Sequence, residues 1–242
     1  MVARIGFGVA VLLVGVGSVG AQPPAGIDPV AVTDFLRGKG SYGRYDPDLD
    51  WGTSDFTYQL LPEWSVRRKG LPAFFGPGLA TSDAPLPRPA VPFAVFGVEG
   101  GVTAAVLGRL AEQDNLHTLV VGDRLTPRSM QQLGTLKQLR TLRVAPPPGD
   151  GLRPLAGLSK LYSLALDLDH ETPTDFRPLA GLANVRVLDL DGSQNTDAGF
   201  EHLARMERLE TLRVRSFDLK GDGLKRLAAA SQASCAARTR RR

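Results

Sequence analysis

The chain of 242 residues is 43% hydrophobic and 22% charged, ordinary values that exclude a wholly disordered chain, a collagen and a multi-span membrane protein. Its one cysteine, Cys235, excludes an intrachain disulfide and a cysteine-based zinc site. The net charge of +4 comes from Arg4 and four arginines among the last five positions. Without these five, 24 basic residues stand against 25 acidic ones, a balance of −1 that does not support a basic nucleic-acid-binding face.

Residues 1–21 are typical of a secretory signal peptide. Arg4 gives a positive start, an apolar run extends from Ile5 to Val19, and Val19-Gly20-Ala21 fits a small-x-small cleavage site. The competing interpretation is an N-terminal membrane anchor, but the apolar run is shorter than the roughly 20 residues that span a bilayer. We therefore expect an exported protein, periplasmic or secreted, with no transmembrane span once the signal is cleaved.

Residues 22–100 lack a clear periodicity and are rich in proline and aromatic residues. Prolines at this density argue against long helices and against central strands. We expect an irregular N-terminal segment that serves as a cap and linker for the C-terminal half of the chain. Within it the sequence predicts a short helix at 28–36, a strand at 53–61 and an extended linker at 80–92.

Residues 101–230 carry an internal repeat, in which the unit L-x-x-L-x-(L/V) occurs five times at intervals of 22 to 24 residues. Further apolar residues precede each unit three residues apart, with Gln113 as the exception. The units are Leu116-Leu119-Val121, Leu139-Leu142-Val144, Leu161-Leu164-Leu166, Val185-Leu188-Leu190 and Leu209-Leu212-Val214.

Each repeat unit predicts a short helix followed by a short strand. The alternation within the unit is that of a strand, and we take the upstream apolar residues as one stripe of an α-helix, close to its 3.6-residue period. One unit does not bury its leucines alone, so the units are expected to stack into a continuous core. A last helix is predicted from Gly223 to Ala237, and residues 231–242 form a basic C-terminal tail.

This pattern resembles the leucine-rich repeat family, in its bacterial 24-residue class. The fourth unit is the clearest, because Thr196-Asp197-Ala198-Gly199-Phe200 is similar to that class's turn into the helix. The resemblance covers about residues 101–230. It implies an α/β leucine-rich repeat solenoid of about five helix-strand repeats, with a parallel sheet on its concave face.

Three patterns elsewhere suggest chemistry and fall short of it. Gly38 to Gly43 matches G-x-G-x-x-G without the other kinase motifs, and Asp46 to Gly52 is a calcium-loop pattern with a misplaced glycine. The acidic run around His170 has no metal-ligand spacing. We therefore predict no catalytic residues, no cofactor, no metal and no small-molecule substrate.

The outward positions of the strands form two polar columns, because residues one repeat apart become neighbours in a parallel sheet. Two interpretations stand: a ladder of cross-strand ion pairs, or a polar recognition patch. The second makes the chain a non-enzymatic exported protein that binds an unidentified protein partner. The alternatives are an envelope-associated structural protein and an enzyme with a catalytic N-terminal half. The candidate partner-binding residues are Arg143, Asp167, Asp189, Asp191, Arg213 and Arg215.

Overall fold

A computed structural model describes residues 89–98, 102–168, 174–192, 199–215 and 225, together with the backbone of four earlier strands. The chain divides into two compact units: Met1–Gly100 with Gln113–Gly122, and Gly101–Glu112 with Asp123–Arg242. The predicted helix at 28–36, the predicted strand at 53–61, the calcium-loop pattern, His170 and the turn at 196–198 lie outside the described residues. So does the predicted helix at 223–237 except for Lys225, which is helical.

The first unit contains strands β1 (Val2–Ile5), β2 (Val9–Leu12), β3 (Ser41–Tyr45), β4 (Leu71–Phe75), β5 (Phe93–Val98) and most of β6 (Leu116–Arg124). Strands β1 and β2 pair with each other, antiparallel. Strand β4 pairs antiparallel with β3 and parallel with β5, and β5 pairs parallel with β6.

One expectation for this unit was wrong, because β4 contains Pro72 and still lies between two strands. Proline lacks the N–H that a central strand must donate. The pairing with β5 begins only at Ala73, one residue after the proline, so Pro72 stands outside that ladder. Its Cα is opposite Arg44 of β3.

The second unit alternates helical segments with parallel strands. Its strands are β7 (Thr141–Ala145), β8 (Ser163–Asp167), β9 (Val187–Asp191) and β10 (Thr211–Arg215), hydrogen-bonded in that order. Its helices are α1 (Ala104–Ala111), α2 (Pro127–Leu133) and α3 (Phe200–Leu203), with 3-10 helices at Asp150–Gly157 and Arg177–Gly181. Successive helical segments pack on one another: α1 on α2, α2 on the first 3-10 helix, and so on to α3.

The predicted strands are confirmed, because each of the five units coincides with a strand. The core columns are buried in the first four units, whereas the three apolar residues of the fifth unit are only partly buried. The central leucines Leu119, Leu142, Leu164 and Leu188 are at most 1% exposed. The upstream apolar residues are buried as well, and Gln113, which breaks that column, is buried with them. The fold is therefore mixed α/β with parallel pairing that follows the repeat.

The helical segments of the third and fourth repeats differ from the prediction, because they are 3-10 helices. The buried residues Leu152, Leu155 and Leu158 are three apart, a spacing that the α-helical repeats share, so the spacing alone does not distinguish a 3-10 helix from an α-helix. Pro154 lies inside the first of these helices and Pro178 is the second residue of the other, and both prolines lack a backbone donor. Pro154, and not the three-residue spacing, is the sequence signal for the tighter helix.

The α-helices α1 and α2 begin at threonine caps. Thr126 Oγ1 accepts a hydrogen bond from Ser129 N at 3.1 Å, and Pro127 follows as the first helical residue. Ser129 is buried and its Oγ donates to the carbonyl of Val102 at 2.9 Å, which ties α2 to the residue preceding the cap of α1. Thr103 caps α1 more weakly, accepting from Val106 N at 3.4 Å.

Candidate functional site

The strand register of the second unit brings the predicted polar residues into neighbouring positions. Arg143 on β7 is opposite Ala165 on β8, and Ala165 is opposite Asp189 on β9. Asp189 in turn is opposite Arg213 on β10. One column of outward residues therefore runs across all four strands, as the 22- to 24-residue repeat predicted.

A second column lies two residues further along the strands. Asp167 is opposite Asp191, and Asp191 is opposite Arg215. We call the six charged residues of both columns the polar face: Arg143, Asp167, Asp189, Asp191, Arg213 and Arg215. Its three acidic and three basic residues balance, so the formal charge of the polar face is zero.

Arg143 and Asp167 form a two-pronged ion pair between β7 and β8. The Nε of Arg143 donates to Oδ2 of Asp167 at 3.0 Å, and its Nη2 donates to Oδ1 at 2.8 Å. The side chains are 7% and 17% exposed, so this pair is mostly removed from water. A buried two-pronged pair fixes both side chains, and removing either partner leaves a buried charge.

Burial raises the pKa of the Asp167 carboxyl above its ordinary value of 3.8. The charge and hydrogen bonds of Arg143 act in the opposite direction and do not cancel that effect. The nearby carboxylates of Asp191 and Asp189 raise the pKa further. The cluster is therefore a set of interacting charges in a poorly hydrated environment.

The polar face differs from an ordinary surface patch in its exposure. Arg143 is 6% exposed and Asp189 is 4% exposed, whereas Asp191 and Arg213 are only partly buried. The prediction placed all six residues on the surface of the sheet, and the strand alternation that supported it says nothing about how deeply each lies. The face contains the cross-strand ion pair of the first interpretation and also partly exposed charges, and the recognition patch stays a prediction.

No group of three or more histidine, cysteine, aspartate or glutamate side chains in the described part of the chain is arranged to hold a metal ion. Within the same residues, no helix has the length and apolar character to cross a membrane.

Sequence reasoning missed a second set of functional candidates, at the residues that immediately precede the strands. Tyr162, Arg186 and Glu210 are joined there by a cation–π contact and an ion pair. Their residue types differ from repeat to repeat, so they form no visible column in the sequence. The signal available in the sequence was their position, because each of them directly precedes the first outward-facing residue of its strand.

No protein-family model matches the sequence, and no curated protein matches it either. Among solved structures, internalin C2 from Listeria monocytogenes, a leucine-rich repeat protein, is similar with a TM-score of 0.34 and 21% sequence identity. The similarity covers 57% of this chain and 55% of that one, so the chain matches about half the length of this neighbour. At this level the two folds agree only in part, and no function passes from one to the other.

Proposed function

We propose that this chain is an exported leucine-rich repeat protein that binds another protein without catalysis. In this proposal the repeats form a solenoid, and the polar face is the contact surface on its concave side. The observation that carries it is the register of β7 to β10, which gathers charged residues from four successive repeats on one side of a sheet. Repeat proteins present such extended surfaces to macromolecular partners.

Within the polar face, the partly exposed residues are the ones that first meet a partner. Asp191 and Arg213 lie on adjacent strands, out of direct register, and both residues are partly exposed, although the Nη1 atom of Arg213 is buried. Arg143 and Asp189 are buried, and Arg143 holds the carboxylate of Asp167 in place. Charges across an interface govern specificity and association rate more than raw affinity, so the partner is expected to present complementary charges.

The test captures partners from the exported fraction with the full chain as bait. Asp191→Lys and Arg213→Glu reverse partly exposed charges, and we expect both to reduce capture of the partner that the unmodified chain retains. Asp191 is a better position to reverse than Asp189, because a lysine or arginine at the buried position would destabilise the fold. Circular dichroism confirms that each variant is folded.

The matched control is Arg153→Glu, which reverses an exposed arginine on the first 3-10 helix. The Arg153 side chain is 69% exposed and lies 3.3 Å from Asp150. The Arg153→Glu variant should capture the partner as well as the unmodified chain does. Equal capture by Asp191→Lys, Arg213→Glu and the unmodified chain would contradict the polar face as the contact surface.

Export is tested separately, at the N-terminus of the native protein. Mass spectrometry of the protein from its own cells should find a chain that begins after Ala21. A native chain that still carries residues 1–21 would support the alternative of an N-terminal anchor, and with it the envelope-associated function.

A further inference from the structure

The residues that precede β8, β9 and β10 form a continuous row with the residue that precedes β7. The backbone N–H of Tyr162 donates to the carbonyl of Arg140 at 2.7 Å, and the N–H of Arg186 donates to the carbonyl of Tyr162 at 2.8 Å. Glu210 continues the row, because its N–H donates to the carbonyl of Arg186 at 2.8 Å. Four side chains from successive repeats are thus set side by side at the start of the strands.

The side chains in the middle of this row are exposed and held in place. Tyr162 is 47% exposed and is the one large hydrophobic side chain in the exposed class among the described residues. The guanidinium carbon of Arg186 lies 5.8 Å from the centre of the Tyr162 ring. The Nη1 of Arg186 also donates to Oε1 of Glu210 at 2.6 Å.

The turns just before this row add positive charge. Lys160 and Arg208 occupy equivalent positions in two repeats and both are exposed. The Nη1 of Arg208 donates to Oδ1 of Asn184 at 2.7 Å, and the Nδ2 of Asn184 donates to the carbonyl of Ser159 at 2.7 Å. Bonds between repeats therefore order this surface as well.

We call these residues the basic strip: Arg140, Lys160, Tyr162, Arg186, Arg208 and Glu210. Four cations and one carboxylate give it a formal charge of +3, whereas the polar face is neutral. A positive surface attracts a negative partner and speeds their encounter. Tyrosine and arginine are also the residue types enriched where binding energy concentrates in protein interfaces.

We propose that the basic strip binds an acidic segment of a partner protein, with Tyr162 and Arg186 as its central anchor. This rests on the proposed function, that of a protein-binding chain, and adds the chemistry of what is bound. Glu210 at the β10 end would repel a uniform polyanion such as a sulfated glycan. A protein segment accommodates it, because a basic or neutral residue can stand at that position and an apolar side chain can cover the Tyr162 ring.

The spacing of the strip suggests a pattern for the bound segment. Arg140 and Arg186 are two strands apart, which is roughly 10 Å in a parallel sheet. A segment in the polyproline II conformation places residues three apart on the same side at about 9.3 Å. We therefore expect acidic residues three positions apart in the bound segment.

The test pans a phage-displayed library of random linear peptides on the full chain. The selected peptides should be rich in Asp and Glu, with pairs three positions apart, and the best of them is then synthesised with a fluorescent label. Its affinity should fall at least about tenfold for Arg186→Glu and for Tyr162→Ala, the size of loss typical of interface anchors. It should also fall with rising salt.

Arg140→Glu, at the other end of the row, is a second variant in case Arg186→Glu disturbs folding. Arg153→Glu is again the matched control, and its affinity for the peptide should change less than about twofold. Failure of any peptide to be enriched, selection without an acidic bias, or undiminished binding by the strip variants would overturn the proposal. So would a heparin fragment that competes as strongly as the peptide, since a uniform polyanion would then be the ligand.

The same variants separate this proposal from the proposed function. If the captured partner is lost with Asp191→Lys and Arg213→Glu but retained by Arg186→Glu and Arg140→Glu, the protein-binding function stands and the basic strip is not its acidic-segment site. If Asp191→Lys and Arg213→Glu capture the partner as the unmodified chain does, while Arg186→Glu and Arg140→Glu lose it, the polar face fails as the contact surface and the strip remains.

Discussion

The Leu188 side chain is fully buried, and its neighbours in register are Leu164 on one side and Leu212 on the other. Truncating it removes buried methyl groups and leaves a cavity between adjacent strands. We expect Leu188→Ala to lower the free energy of unfolding by about 2–5 kcal/mol. Chemical denaturation measures this loss, with Val187→Ala as the control on the opposite side of the same strand. A loss below about 0.5 kcal/mol, the usual range for surface substitutions, would contradict the repeat register.

Asp167 predicts a pH dependence of stability with a definite sign. Burial raises the pKa of its carboxyl above 3.8 in the folded chain, so the folded state binds the proton more tightly than the unfolded state. The contribution of this group to the free energy of unfolding is therefore largest at acidic pH and falls as the pH rises from 3.8 through the raised folded-state pKa. The free energy of unfolding should be measured across that pH window for the unmodified chain and for Asp167→Asn. The value for the unmodified chain minus that for Asp167→Asn should fall as the pH rises.

Asp175 provides a control of opposite sign for this measurement. A side-chain hydrogen bond from Arg177 lowers the pKa of Asp175 below 3.8, so its contribution to stability is present above that value and is lost as the pH falls through the folded-state pKa. The free energy of unfolding of the unmodified chain minus that of Asp175→Asn should thus rise with pH. A difference for Asp167→Asn that is flat or rises with pH would contradict the assignment.

At the scale of elements, two glycines in neighbouring helical segments should respond to alanine in opposite ways. A Cβ on Gly108, inside α1, would stand 3.6 Å from the end of the Gln132 side chain, an ordinary contact. A Cβ on Gly134, at the end of α2, would stand 2.6 Å from the carbonyl oxygen of Pro154 in the first 3-10 helix. The effect of alanine at Gly134 therefore depends on the space between α2 and the first 3-10 helix, and not on helix propensity.

We expect Gly108→Ala to stabilise the chain by about 0.5–1 kcal/mol, because alanine is the better helix former. Gly134→Ala should destabilise it by about 1–3 kcal/mol, because α2 and the 3-10 helix must move apart. Thermal or urea unfolding of both variants measures the two changes. If both substitutions stabilised the chain, the packing of α2 on the first 3-10 helix would not be as close as the structure indicates.

The sequence predicted the strands of the repeats well and their helices less well. A strand's register follows from alternation, and the leucine columns recur at nearly constant intervals through five units. The kind of helix depends on finer geometry: Leu152, Leu155 and Leu158 are compatible with one stripe of either helix, and Pro154 favours the tighter one. The position of β4 also eluded prediction, because Pro72 excludes only those ladder positions that need its N–H.

At the scale of the whole molecule, the polar face was predicted as a set of neighbours but not in its burial. Repeat spacing determines which side chains adjoin, whereas the depth of Arg143 and Asp189 depends on the rest of the chain around them. The basic strip was missed because the residue type is not constant along the row Arg140, Tyr162, Arg186 and Glu210. Their backbone positions recur, and only the three-dimensional contacts show that different side chains act together.

The charges of the molecule are divided in a way that the net value of +4 conceals. The polar face balances its own charges within the sheet, while the basic strip carries an excess. These two surfaces should respond differently to ionic strength, since exposed charges are screened by salt more than buried pairs are. Binding at the strip is accordingly expected to be the more salt-sensitive of the two.

The backbone hydrogen bonds that align the basic strip also determine the order in which the repeats of the second unit unfold locally. Each of the amides of Tyr162, Arg186 and Glu210 is held by the carbonyl of the preceding repeat, so an inner repeat is released only after a neighbour has detached. Strand β10 lies at one end of the order of the described strands, so we expect opening of these strands to start there. Amide hydrogen exchange should then be fastest at Glu210 and slower at Arg186 and Tyr162, so the repeats would fray one after another from the β10 end.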